Sequence, residues 1–241
     1  MKGYGSYMLR LSFVVSLIIC TLYGIQKIQA YPQTPIVPSG NDKQFERAVL
    51  KYVWPALDYG QKVGRIYYSA ACQPNANGSS FFPRLNVQPP SDGKIGISAV
   101  RDIFRLEKRV SVKESDTGVI RITIGLVPDD VLRVRIASLV LTPEEQYNYW
   151  SAIFKIENAP EVQNALQQLK ISATARVTSF GIVRPADGLP HLPSVFTNVT
   201  MDQALDLVAK TFGGIVLYTF CTPPDQYEIR FANAAEIYST Q

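Results

Sequence analysis

A single histidine, His191, stands between Pro190 and Leu192. Ser-His-Asp or Cys-His chemistry would have to pass through it, because a nucleophilic hydroxyl or thiol needs a base within hydrogen-bond reach. No G-x-S-x-G turn and no cysteine-centred signature accompanies it. Its plain reading is a solvated loop residue, and a secreted or periplasmic hydrolase using His191 is the alternative. Asp129-Asp130 and Glu144-Glu145 are adjacent carboxylates. Neighbours in sequence do not converge on one substrate atom, and the second pair suits the first turn of a helix. Gly118, Gly125 and Gly213-Gly214 fall where hairpins turn and a helix ends, not in a phosphate-cradling loop. One histidine, and three cysteines without a C-x-x-C, leave no metal-ligand set. The residues assign no catalytic, cofactor-binding or metal-binding side chain, and no cofactor is expected.

Tyr147, Tyr149 and Trp150 form an aromatic set that suits core packing, with a carbohydrate or peptide platform as the sharper reading. Asn77-Gly78-Ser79 and Asn198-Val199-Thr200 match glycosylation acceptors. The second is better explained as a helix start.

The chain has 241 residues, 46% hydrophobic and 18% charged, which suits a core-forming protein. Its net charge of +4 owes much to Lys2, Arg10 and Lys27, which precede Tyr31. Without those three, 21 basic residues face 20 acidic ones, so the balance argues against nucleic acid as a partner.

The N-terminus predicts export. Lys2 and Arg10 flank a short polar stretch, Leu11 to Tyr23 is mostly apolar, and Ile28-Gln29-Ala30 ends on a small residue. Residues 1–30 resemble a signal peptide cleaved after Ala30, or a signal anchor holding the chain to a membrane through residues 7–28. The membrane enters only through that segment, left uncleaved. Processing would remove Cys20 and leave Cys72 and Cys221 as an even pair in an oxidising compartment. Each closes an apolar extended run, Ile66 to Ala71 and Ile215 to Phe220, and precedes a polar turn. A Cys72–Cys221 bridge and two buried thiols both fit that placement.

The elements that position these residues follow a helix-and-strand alternation. Residues 31–40, with Pro32, Pro35 and Pro38, read as an extended linker. A helix begins near Asn41 or Asp42, with Phe45, Ala48, Val49, Tyr52 and Val53 on one face, and Pro55 ends or kinks it. Arg65 to Ala71 is strand-like, as is Phe81 to Val87. Ser98 suits the cap of a short helix, followed by a hairpin of Val110 to Glu114 and Val119 to Ile124. There Ile120, Ile122 and Ile124 face in while Arg121 and Thr123 face water. Leu132, Val134 and Ile136 alternate as a strand. Thr142-Pro143-Glu144-Glu145 starts a helix with Tyr147, Trp150, Ile153 and Phe154 on its aromatic face. Asn158 with Glu161 makes a second capping box, and Ile171 to Thr178 a further strand. Together residues 41–180 form an α+β domain, and the proline-bearing residues 181–194 a linker.

The C-terminal stretch 195–241 is the best defined. Thr200 and Gln203 have capping-box spacing; Met201, Ala204, Leu205, Val208 and Phe212 make one buried face; Gly213-Gly214 stop the helix. Ile215 to Phe220 is extended, residues 222–225 turn, and Tyr227, Ile229 and Phe231 alternate with Glu228 and Arg230. The stretch Phe196-Thr197-Asn198-Val199-Thr200, Ala204-Leu205, Leu207-Val208-Ala209 and Gly213 to Tyr218 resembles the short N-terminal module of secretins and TonB-dependent receptors, known as the STN or N0-like module. The resemblance covers about 40 residues and implies a βαββ unit that binds partner proteins without catalysis.

The expected fold is α+β, with helices packed on small antiparallel sheets in βαββ-type units. The expected function is a non-enzymatic, extracytoplasmic binding or assembly module contacting a cell-envelope protein. Its candidate contact is the strand edge of Tyr227, Glu228, Ile229, Arg230 and Phe231. A structural surface protein is a further alternative.

Overall fold

The computed structural model describes residues 42–71, 85–173, 188–222 and 225–233. The signal or anchor segment 1–30, the proline-rich residues 31–40, Cys72 and residues 174–187 lie outside the described residues. So does most of the strand expected at Phe81 to Val87, and residues 85–87 are irregular.

Helix α1 (Asp42–Tyr59) contains Pro55, which does not end it: the helix continues to Tyr59 with Val53, Trp54 and Leu57 buried. Strand β1 (Gly64–Ala71), helix α2 (Gly96–Ile103) and the hairpin β2 (Val110–Glu114) and β3 (Ile120–Ile124) follow. Strand β4 (Arg135–Val140) leads into helices α3 (Pro143–Tyr147), α4 (Tyr149–Glu157) and α5 (Pro160–Leu169), then the two-residue β5 (Ser172–Ala173). The last part is β6 (Val195–Thr200), α6 (Met201–Phe212), β7 (Gly214–Thr222) and β8 (Gln226–Asn233).

The class is α+β. The hairpins β2–β3 and β7–β8 and the ribbon β4–β6 are antiparallel. Strand β1 lies between the two hairpins, parallel to both β3 and β7, and fuses them into one six-stranded sheet of order β2-β3-β1-β7-β8-β5. The stretch 195–241, expected as its own module, therefore shares this sheet: β7 pairs with β1 from Gly64↔Ile215 to Ala71↔Thr222. Its first strand, β6, pairs with β4 instead. The physical reason is that an isolated hairpin leaves edges unpaired and a face unburied.

Helices cover both faces of the six-stranded sheet. Ile66, Tyr68, Ile120, Ile122, Ile215 and Leu217 pack with α1 and α2. Tyr67, Val216, Tyr218, Phe220, Tyr227, Ile229 and Phe231 pack with α4, α5, α6 and the ribbon. Two-sided cover explains why β7 reads as a continuous apolar run while β8 alternates.

Several local expectations are corrected. Arg121 faces water only in part, with 31% of its side chain open; its face of β3 lies under α6, where two aspartates receive it. Ser98 sits inside α2 rather than capping it, its hydroxyl donating to the Ile95 carbonyl at 2.8 Å. The helix starting at Thr142 does carry its capping box with Glu145, but it stops at Asn148. The Asn148 side chain then caps α4 by accepting from the Trp150 and Ser151 amides, so Phe154 rotates outward while Ile153 is buried. Asn158 makes no capping box with Glu161; its amide donates back to the Phe154 carbonyl at 2.7 Å. Helix α5 instead begins after Ala159 with Pro160 in its first turn. Glu161 is used by a strand, accepting from the Ala137 amide at 3.0 Å. The strand expected from Leu132 begins at Arg135, since residues 130–133 turn.

Candidate functional site

The densest polar constellation among the described residues lies between α6 and the sheet. Arg65 and Arg121 are register partners on β1 and β3, so both side chains leave the same face side by side. Asp202 and Asp206 are spaced i, i+4 on α6, which stacks them on one flank of that helix. Burying the apolar face of α6 (Met201, Ala204, Leu205 and Val208) brings that flank down over the arginines.

Arg65 is fully buried, and its Nη1 meets Asp202 Oδ1 at 2.8 Å and Asp206 Oδ1 at 3.0 Å. It also donates to the Asp202 carbonyl. Arg121 Nη2 meets Asp206 Oδ2 at 3.0 Å and also reaches Asp202 Oδ2. Tyr67 donates its hydroxyl to Asp202 Oδ1 at 2.9 Å, and its ring lies 4.9 Å from the Arg65 guanidinium carbon. Thr117, in the β2–β3 turn, donates to Asp206 Oδ2 at 2.7 Å, while Lys210 donates to the Thr117 carbonyl at 2.9 Å.

Two arginines against two aspartates close this cluster on itself. Burial pushes the Tyr67 phenol far above its ordinary range, and the Asp202 carboxylate adds to that. A general acid or base needs a titration near the working pH and access to substrate, and this tyrosine is driven the opposite way. The arrangement is a clamp that seats α6 on β1 and β3 and ties the hairpin turn to α6. Arg65 Nε and Nη2 and Arg121 Nε have no hydrogen-bond partner among the described residues, so the clamp carries a desolvation cost.

The remaining candidates are dispersed. His191 is exposed; its ring stacks on Tyr147 with centroids 5.1 Å apart, and Nδ1 lies 3.2 Å from the Leu189 carbonyl. Tyr149 packs on Trp150, Phe212 and Phe231, separately from Tyr147. Asp129 pairs with Arg133 at 2.7 Å, and Glu144 and Glu145 lie in the first turn of α3. Among the described residues, no group of three or more His, Cys, Asp or Glu side chains is placed to hold a metal ion. No described helix is long and apolar enough to cross a membrane.

On β8, Tyr227, Ile229 and Phe231 point into the core, and Glu228 and Arg230 are half-buried on the other face. Strand β7 occupies one side of β8 throughout, while on the other, among the described residues, β5 pairs with Gln226 and Tyr227. Cys221 is disulfide-bonded, and Cys72, the partner expected for it, follows Ala71 in the sequence and lies outside the described residues. Set against known protein families, curated proteins and solved structures, the chain matches none of them.

Sequence reasoning missed the clamp. Its signals were an arginine at the mouth of an apolar strand, a second arginine among isoleucines, and the Asp202/Asp206 pair beside a well-defined apolar face. No local rule connects residues 65, 121 and 206.

Proposed function

We propose that this chain is a non-enzymatic, extracytoplasmic binding and assembly module that contacts a cell-envelope protein partner along the outer side of β8. The observation carrying this reading is the outer side of β8: among the described residues β5 pairs with it at Ser172↔Gln226 and Ala173↔Tyr227, and no other described strand pairs there. The Ser172 amide donates to the Asp225 carbonyl at 3.1 Å. In the same alternation the backbone groups of Ile229 and Phe231 point to that outer side, where a partner strand can add. The resemblance of residues 196–218 to the secretin and TonB-receptor module supports the same kind of partner.

The side chains speak for recognition rather than chemistry. The best-built polar cluster is internally neutralised, and His191 stacks on an aromatic ring in the open. Pull-down of the full chain from its own envelope fraction is expected to recover an envelope protein, and Glu228→Lys to weaken the recovery. Recovery of no envelope protein, or recovery indifferent to Glu228, contradicts the reading. Mass spectrometry of the native N-terminus checks export separately.

A further inference from the structure

We propose that the corner between α2 and β2 is a docking surface for an anionic phospholipid bilayer. Between Ser91 and Val110 the chain carries five cations, Lys94, Arg101, Arg105, Lys108 and Arg109, against three acids, Asp92, Asp102 and Glu107. The fold sorts them. Asp102 is buried, and its carboxylate accepts from the Ser91 amide at 2.6 Å, the Ser91 hydroxyl at 2.8 Å and Lys94 at 2.7 Å. Glu107 keeps 14% of its side chain exposed and pairs with Arg109 at 2.8 Å. Of the acids, only Asp92 is exposed.

The cations stay open to solvent, three of them while paired to these acids: Lys94 and Arg105 with Asp102, and Arg109 with Glu107. Arg105 and Arg109 leave 39% and 50% of their side chains open. Arg101 and Lys108 are exposed as well. Among them stands Leu106, 53% exposed. The turn that presents it is hydrogen-bonded, with the Glu107 amide on the Phe104 carbonyl at 2.8 Å and the Val110 amide on the Glu107 carbonyl at 3.1 Å. Arg101 Nε reaches the Val112 carbonyl at 3.5 Å, which holds α2 against β2.

A leucine surrounded by cations fits a bilayer because headgroup phosphates take the charges and the acyl boundary takes the apolar side chain. A nucleic-acid backbone would use the cations and leave Leu106 in water. The one aromatic of this stretch, Phe104, is buried and offers no stacking platform for a base. This surface is distinct from the outer side of β8: β2 is the first strand of the sheet and β8 the fifth.

The test is co-sedimentation of the full chain with phosphatidylcholine vesicles, with and without phosphatidylglycerol. The parent protein is expected to partition preferentially onto the phosphatidylglycerol vesicles and to be released by salt. Arg101→Ala with Lys108→Ala is expected to lower that partition about 25-fold, at about fivefold per cation. Leu106→Ala is expected to lower it about tenfold. All three side chains are exposed, so an unchanged far-ultraviolet spectrum is expected of each variant. Residues 1–30 contribute alike in every arm, and the difference between parent and variant reads the corner alone. Equal binding to both vesicles, equal binding by parent and double variant, or tight binding to an oligonucleotide without vesicle binding overturns the proposal.

Discussion

Arg65 and Arg121 are cross-strand register partners whose guanidinium groups share a single buried carboxylate, that of Asp206. Like charges on neighbouring strands repel. The sheet tolerates this pair because α6 carries two aspartates directly over it. The C-terminal helix is thereby tied to the two strands that precede it in the chain by more than 80 residues.

That arrangement makes removal of one partner costly. Asp206→Ala removes the buried carboxylate both guanidinium groups share, leaving Asp202 alone against two cations, and is expected to destabilise the fold by about 3–5 kcal/mol. Urea unfolding measures it. Arg65→Met combined with Asp206→Leu replaces a fully buried pair by apolar volume and is expected to recover most of the loss. Equal losses in the single and double variants would contradict the clamp.

Tyr67 and Tyr218 set a limit at alkaline pH. Burial raises both phenols above their ordinary range, helped by Asp202 for Tyr67 and by Asp129 and Asp130 for Tyr218. An unfolded tyrosine ionises near pH 10. Folded, these two stay protonated there, so their contribution is complete below about pH 10 and declines as pH rises beyond it, by about 1.4 kcal/mol per pH unit for each. Unfolding followed by tyrosinate absorbance is expected to show this decline, and Tyr67→Phe to flatten it.

Cys221 offers a covalent test of the pairing. It is disulfide-bonded at the end of β7, and its neighbour Thr222 is the register partner of Ala71, which precedes Cys72. Peptide mapping without reductant is expected to recover a Cys72–Cys221 linked pair. Reduction is expected to cost roughly 4 to 5 kcal/mol, because the closed loop is long. Recovery of Cys72 as a free thiol in the native protein would contradict the pairing.

Gly60 tests the packing of α1 against α2. A Cβ at Gly60 would lie 2.6 Å from the Gly96 Cα and 2.8 Å from the Gly96 nitrogen, both backbone atoms that cannot rotate away. Gly60→Ala is expected to destabilise by about 1–3 kcal/mol in thermal or urea unfolding.

What the sequence revealed was local. Thr200 with Gln203, the apolar spacing from Met201 and the left-handed Gly213 fix α6 through contacts within a few residues, and each appears as expected. The turn between Val110–Glu114 and the following strand was legible for the same reason. The Asn158–Glu161 box failed because two competing partners, the Phe154 carbonyl and the Ala137 amide, claim those side chains. Arg121 was misread because alternation reveals that a strand has two faces but not that both are covered. The place of β1 between two hairpins, and with it the whole clamp, depends on pairings between distant residues, for which one sequence holds no local signal.

What touches the outer side of β8 decides the proposed function. A photo-crosslinking amino acid placed at Glu228, whose side chain is 30% exposed, tests this in intact cells, with exposed Asp116 in the β2–β3 turn as the control position. The expected result is an adduct with an envelope protein from position 228 and none from 116. No adduct from 228, or an internal adduct to residues 174–187 of the same chain, would contradict it.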